Sequence, residues 1–177
     1  AGRPAPRSWN EVAAHLNRLL PEDAVLTSDA GDFFVPIARN VVLGGGRRYL
    51  GPTSGTMGYG LPAAVAAKLA APHRTVVAVC GDGGFGMSLV ELATAVRYEA
   101  QVIAVVFNDD AYGSIERHQR NHYDGRLTGS GLHNPAFDEL ARAFGAFGAR
   151  VREPGDFPAL FARAIASGRP AVLEVPS

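Results

Sequence analysis

Cysteine is nearly missing from this sequence. Cys80 is the single thiol, so neither an internal disulfide nor a multi-cysteine metal site can form. The expectation that follows is a reducing, cytoplasmic setting. Charge of one sign is missing too: 17 basic and 17 acidic residues cancel, and no block of like charge breaks the balance. The chain thus lacks the electrostatic footprint for nucleic acid or an anionic membrane. No apolar run approaches the ~18–20 residues of a membrane-spanning helix. The opening "AGRPAPRSW" has no apolar signal region. Beyond the first seven residues there is no low-complexity segment, and nowhere an internal repeat or a G-x-x-x-x-G-K-[ST] phosphate loop.

What remains is a globular chain of 177 residues, 47% hydrophobic, long enough to bury one sizeable core. Residues 1–7, made of Ala, Gly, Arg and Pro, read as an interdomain linker, which leaves 8–177 as a single domain. The start without Met and the stop just past "AVLEV" predict a domain excised from a longer polypeptide, or else a separate subunit.

Runs of strand length alternate with segments of helical period. "SWNEVAAHLNRLL" opens with the pattern of a capping box, Ser8 followed three residues later by Glu11, with Val12, Leu16, Leu19 and Leu20 on one face. "AVLTSDAGDFF" is a short strand running into a polar glycine turn, and "GTMGYGLPAAVAAKLAA" a turn feeding a small-residue helix. "TVVAVC" and "VIAVVF" are continuously apolar, as strands are in a sheet covered on both faces. Between them, "GDGGFG" reads as an exit loop and "SLVELATAVRYEA" as a helix capped by Ser88 with Glu91. "NPAFDELARAFGA" predicts a helix with Asn134 as cap and Pro135 in first place, and "GDFPALFARAIASG" another before the strand "AVLEV". The fold class implied is α/β: a doubly wound, mainly parallel sheet with helices on both faces. Ligands in such sheets bind beyond the carboxyl ends of the strands.

Three strand exits carry unusual residues: "SDAGDF", "GDGGFG" and "NDDAYG". Asp82 follows a buried strand with glycines on both sides. Glycines let a ligand approach the backbone, and a helix start favours phosphate. A carboxylate beside a phosphate needs a cation between them, most simply Mg²⁺ on oxygen ligands. Taken alone, Gly-Asp-Gly after a strand is also compatible with a plain turn. "GDGGFG" fits G-x-G-x-x-G, but an Asp in its first variable position would face a dinucleotide pyrophosphate without a counterion. Spacing favours the metal reading. Asp109 lies one helix and one strand beyond Asp82, so the two exits belong to strands of one sheet and can share a cation.

The span "GDGGFGMSLVELATAVRYEAQVIAVVFNDDAYG" resembles the thiamine-diphosphate motif of acetolactate-synthase-like and 2-oxo-acid-decarboxylase enzymes, and "TSGTMGYGLPAAVAAKLA" the stretch that precedes it. With "SDAGDFF" and "NPAFDELARAFGA" in register, the resemblance covers roughly residues 8–176 and is to the C-terminal pyrophosphate-binding domain. It implies thiamine diphosphate and Mg²⁺ as cofactors. Asp82, Asp109 and the Ala111 carbonyl would hold the metal. Gly83 and Gly84, next to Gly81, would donate backbone N–H to the diphosphate, as would amides around Tyr112 and Gly113. The turn at Asp32 and Phe33 would touch it too. In "SGTMG", the Gly55 carbonyl would accept from the cofactor's 4′-amino group beside Thr56, and Met57 would bend the cofactor, ordinary core filling being the alternative. Two positions depart from the family pattern: Asp109 stands where Asn is usual, and Asp32 where a neutral polar residue is usual.

The resemblance further implies decarboxylation or carboligation of a small 2-oxo acid. The activating Glu would lie on a pyrimidine-binding domain of the same or a partner chain, in a homodimer or homotetramer, so this domain alone would be inactive and holds no catalytic residue of its own. Two other readings stay open: a non-catalytic paralogue or assembly subunit, and a different nucleotide-binding α/β enzyme. Cys80 reads as buried core, and His118, His122 and His133 as solvated surface.

Overall fold

The structure, a computed structural model, describes residues 6–177. It is built on six strands: β1 (Val25–Ser28), β2 (Arg48–Leu50), β3 (Val76–Gly81), β4 (Val102–Asn108), β5 (Phe147–Arg150) and β6 (Ala171–Pro176). All pair in parallel, in the order β2-β1-β3-β4-β6-β5. Eight helices connect them: α1 (Arg7–Leu19), α2 (Phe34–Asn40), α3 (Gly60–Ala70), α4 (Asp82–Ser88), α5 (Glu91–Arg97), α6 (Gly113–His122), α7 (Phe137–Ala143) and α8 (Phe157–Ala166).

Successive strand side chains point to opposite faces, so each apolar strand feeds two cores. Val77, Val79, Ile103, Val105 and Phe107 pack on one side with Trp9, Val12 and Leu16 of α1, Ile37 of α2, and Phe157 and Phe161 of α8. Val76, Ala78, Cys80, Val102, Ala104 and Val106 pack on the other with Leu61 and Ala64 of α3, Phe85 of α4, Leu92 of α5, and Phe137 of α7. That is why "TVVAVC" and "VIAVVF" show no alternation. The doubly wound architecture is as expected from the sequence.

Several local expectations are corrected. Helix α1 starts at Arg7 behind Pro6 with no side-chain cap, so Ser8 lies inside the first turn. Of the expected linker, residues 1–5 lie outside the described residues. "GDGGFG" is not an exit loop: Asp82 is itself the first residue of α4, with Gly81 as N-cap. Ser88 therefore ends α4 rather than capping α5, whose N-cap is Val90. Helix α7 begins at Phe137 with Ala136 as its N-cap, so neither Asn134 nor Pro135 serves there. Helices α2 and α6 and strands β2 and β5 have no counterpart among the expected elements. β2 is exposed along its whole length and β5 is only half-buried at best, so neither carries the apolar run that marks a strand.

Candidate functional site

From β1 the chain crosses outward to β2, and from β3 it moves the other way to β4. The topological switch point therefore lies between β1 and β3, where a doubly wound sheet opens a crevice at its carboxyl ends. A cleft sits there, walled by the turns after β1, β3 and β4. Asp32, Phe33, Met57, Gly81, Asp82, Gly83, Gly84, Asp109, Ala111, Tyr112 and Gly113 all line it. Gly55 and Thr56 do not; they sit in the exposed neighbouring loop, where the Thr56 carbonyl accepts from Ala30 N–H at 3.3 Å.

Asp82 is the centre of the cleft. It is 3% exposed. Its Oδ1 accepts from the Gly83 N–H at 2.9 Å, and its Oδ2 from the Ala111 N–H at 3.3 Å and Asn134 Nδ2 at 2.7 Å. Burial raises its pKa above the ordinary carboxylate value. The bonds from Gly83, Asn134 and Ala111 oppose that rise, and the charge of Asp110 adds to it. A cation at this carboxylate would reverse the balance. The Asp109 carboxylate lies over the start of α6, 3.2 Å from where a Cβ on Gly113 would stand. Asp110 is exposed but not idle: its φ is +54°, and Asn134 Nδ2 donates to its Oδ1 at 3.1 Å. That left-handed residue turns the chain so that the Ala111 N–H meets Asp82.

The glycines of the motif are required by their neighbours. A Cβ on Gly81 would meet the Phe33 ring at 2.8 Å, and one on Gly83 would meet Tyr112 Cε1 at 2.5 Å and Met57 Cε at 3.2 Å. On Gly84 it would run into the Asp29 carboxylate. Apart from Asp82, whose Oδ1 takes the Gly83 N–H, the first turn of α4 presents glycine backbone to the cleft, which suits an anion. Beside it stand two carboxylates, Asp82 and Asp109, hard oxygen donors of the kind a divalent cation takes. Among the described residues no cluster of three or more His, Cys, Asp or Glu side chains is placed to hold a metal. The residues present fit a diphosphate bridged by Mg²⁺, and they do not form an all-side-chain metal cage.

Residues overlooked in the sequence complete the site. Asp29, 2% exposed, accepts from the Gly60 N–H at 2.6 Å through Oδ1, while Oδ2 is buried with no hydrogen-bond partner. Burial raises its pKa, against the Gly60 bond and the neighbouring polar groups of Gly58, Tyr59 and Cys80, which lower it. Burial, with Asp29's charge second, pushes the Cys80 thiol well up, leaving it inert. Arg117 of α6 pairs with Asp32 at 2.8 Å, giving that unusual carboxylate a counter-charge at the mouth. Asn134 bonds Asp82 here instead of capping a helix. The Asp29 signal was legible inside "SDAGDF", as a second acid in a strand exit. For Asn134 and Arg117 no sequence signal existed. His118, His122 and His133 are exposed, and no residue of α6 is buried.

Comparison with known proteins agrees with this geometry. A family model described as "Thiamine pyrophosphate enzyme, C-terminal TPP binding domain" matches residues 29–175. The large subunit of acetolactate synthase isozyme 3 from Escherichia coli (strain K12) is 36% identical over 156 residues, 87% of this chain and 27% of that protein. Sulfoacetaldehyde acetyltransferase from Castellaniella defragrans is 35% identical over 148 residues, 80% of this chain and 24% of that protein. Among solved structures, Rhodococcus jostii RHA1 thiamine diphosphate-dependent 4-hydroxybenzoylformate decarboxylase superposes with a TM-score of 0.89 at 28% identity, covering 96% of this chain and 32% of that one. The chain spans about a quarter to a third of the length of these relatives. It belongs to the thiamine pyrophosphate enzyme family, as a C-terminal cofactor-binding domain.

Proposed function

We propose that this domain binds the diphosphate of thiamine diphosphate through Mg²⁺ and serves an enzyme that decarboxylates or carboligates small 2-oxo acids. The observation that carries the reading is the convergence of two strand exits on one carboxylate: Ala111, beyond β4, hydrogen-bonds Asp82 beyond β3. Asp82, Asp109 and the Ala111 carbonyl would hold the cation. Gly83 and Gly84, with the amides of Tyr112 and Gly113, would hold diphosphate oxygens. Asp32 and Phe33 close the same wall, and the Arg117 pair keeps Asp32 from repelling the phosphates.

On the other side, Met57 projects into the cleft toward Gly83, where it would bend the cofactor, and the Gly55 carbonyl would accept from its 4′-amino group. When bound, thiamine diphosphate supplies a carbon nucleophile and an electron sink for bonds beside a carbonyl. This chain's residues orient it and exclude water from its phosphates. The activating Glu belongs to a pyrimidine-binding domain on the same or a partner chain, in a homodimer or homotetramer. The relatives include a sulfoacetaldehyde acetyltransferase and a 4-hydroxybenzoylformate decarboxylase, and selection of this chain's substrate falls to a pocket shared with that domain. A lone buried Cys80 suits a reducing, cytoplasmic setting.

Calorimetric titration of the polypeptide carrying this chain with thiamine diphosphate and Mg²⁺ tests the reading. Asp82→Ala is expected to weaken binding by at least ~100-fold, about 2.7 kcal/mol. Undiminished binding in the variant would remove Asp82 from the metal site.

A further inference from the structure

Asn134 sits in the loop between α6 and α7, where no helix needs it as a cap. Its Nδ2 lies 2.7 Å from Asp82 Oδ2, 3.0 Å from Asn108 Oδ1 and 3.1 Å from Asp110 Oδ1. An amide nitrogen carries two hydrogens, so three oxygens share two donors. All the partners that can be ionised are acceptors, and that fixes which end of the amide faces them.

Asn108 is oriented just as firmly. Its Oδ1 also accepts from the Asp110 N–H at 3.1 Å, and its Nδ2 donates to Glu174 Oε1 at 3.0 Å. Glu174 is the one charged residue within β6 and is 1% exposed. A buried carboxylate is costly unless it is hydrogen-bonded. Glu174 Oε2 accepts from the Phe137 N–H at 3.1 Å, and Arg150 approaches Oε1 at 3.7 Å. Glu174 therefore grips both Asn108, next to Asp109, and the start of α7, three residues past Asn134. The same loop is pinned to the β4 exit by Tyr112 N–H to Ser130 O at 2.8 Å and Leu132 N–H to Asp110 O at 2.7 Å.

We propose that Asn134, backed by Asn108 and Glu174, is a positioning residue for the cation site: it presets the Asp82 carboxylate before metal arrives. The proposal rests on the function proposed above. Asp82 is held at both oxygens, by Gly83 on Oδ1 and by Asn134 and Ala111 on Oδ2, so rotation of its carboxylate is blocked, and Oδ1, with a single donor, keeps a lone pair for a cation. The amide also sits between the Asp82 and Asp110 carboxylates, which would otherwise repel each other across the turn. Partners of this kind behind a ligand are worth about 10–100-fold in metal affinity. Because Mg²⁺ demands near-ideal octahedral geometry while Ca²⁺ tolerates a flexible one, loosening Asp82 should also erode the preference for Mg²⁺.

The test is a titration of the cofactor-free polypeptide carrying this chain, reading thiamine diphosphate binding rather than turnover. Asn134→Leu keeps the side-chain bulk and loses the donors. Its half-saturating Mg²⁺ concentration, at saturating thiamine diphosphate, is expected to rise about 10–100-fold. At saturating Mg²⁺ its affinity for thiamine diphosphate should return to within about threefold of wild type, and the Ca²⁺-to-Mg²⁺ ratio of half-saturation should fall. An unchanged Mg²⁺ requirement would overturn the proposal, and so would a loss of cofactor affinity that excess Mg²⁺ does not recover. Glu174→Gln removes the charge behind Asn108 and should raise the Mg²⁺ requirement less, by about 3–10-fold. It decides the matter where Asn134→Leu fails to fold: no change there refutes the relay. Wild type failing to bind thiamine diphosphate with Mg²⁺ would instead refute the proposed function.

Discussion

The two ends of the cleft are built differently. At the Asp82 end, three segments distant in sequence are cross-linked by hydrogen bonds. Gly83 and Gly84 are buried, and Asn134 reaches Asp82 across 52 positions of chain. At the other end, residues 53–56 are exposed, and Met57 is only half-buried. That loop is tied down mainly near its end: Thr27 Oγ1 donates to the Gly60 carbonyl at 2.7 Å, Gly60 donates to Asp29, and Ala30 donates to Thr56. The difference teaches where preorganisation resides. Charge must be held in fixed geometry, because misplaced carboxylates repel one another and desolvated ones are costly. An apolar contact such as Met57 tolerates a looser frame, which a second domain can complete.

The comparison can be broken at the charged end first. Asp109→Ala should lose most Mg²⁺-dependent cofactor binding, about 100-fold or 2.7 kcal/mol, whereas Asp109→Asn keeps it, since an amide oxygen also ligates Mg²⁺. Calorimetry on the pair reads both; equal losses in the two variants would mean that the charge itself, not an oxygen ligand, is needed.

Next comes the open end. Met57→Ala should weaken thiamine diphosphate by about 10-fold while leaving Mg²⁺-pyrophosphate binding unchanged, because only the bent cofactor needs the wedge. Competition between the two ligands in one titration separates these effects. Parallel losses would place Met57 with the diphosphate instead.

The smallest effect joins the two ends through Asp29. Its folded-state pKa is raised above 3.8 by burial, so the folded chain holds that proton to higher pH than the unfolded chain does. Stability from this group is present below the unfolded value and is lost as pH rises through the raised folded value. Asp29→Asn removes the titration and keeps an Oδ1 acceptor for Gly60. Relative to wild type the variant should therefore gain stability as pH rises from about 4 toward neutral, and then level off. Urea unfolding across that range checks it; a constant offset between the two proteins would show that burial does not perturb Asp29.

Much of the site was legible before any folding. Asp82, Asp109 and the glycines of "GDGGFG" announce themselves because acids and glycines interrupt apolar strands, where burial otherwise disfavours them, whereas Ala111 is singled out by the family resemblance alone. β3 and β4 were equally plain, being buried on both faces. The three-residue edge strand β2 was not, since an exposed edge carries no apolar run. The reassignment of Asn134 has a similar cause: Asn before Pro is a sound local helix start, and only a tertiary contact outbids it.

Sequence alone, then, determined the central strands, their covered faces and the acids and glycines at their carboxyl ends, because burial periodicity and turn chemistry are local. Tertiary structure alone decided that Asn134 serves Asp82, that Arg117 neutralises Asp32, that Asp29 excludes a side chain from Gly84, and that Glu174 backs Asn108. Those are partnerships between loops far apart in the chain. A hydrogen bond or ion pair is specified by which groups the fold brings within about 3 Å, not by the neighbours each has in sequence.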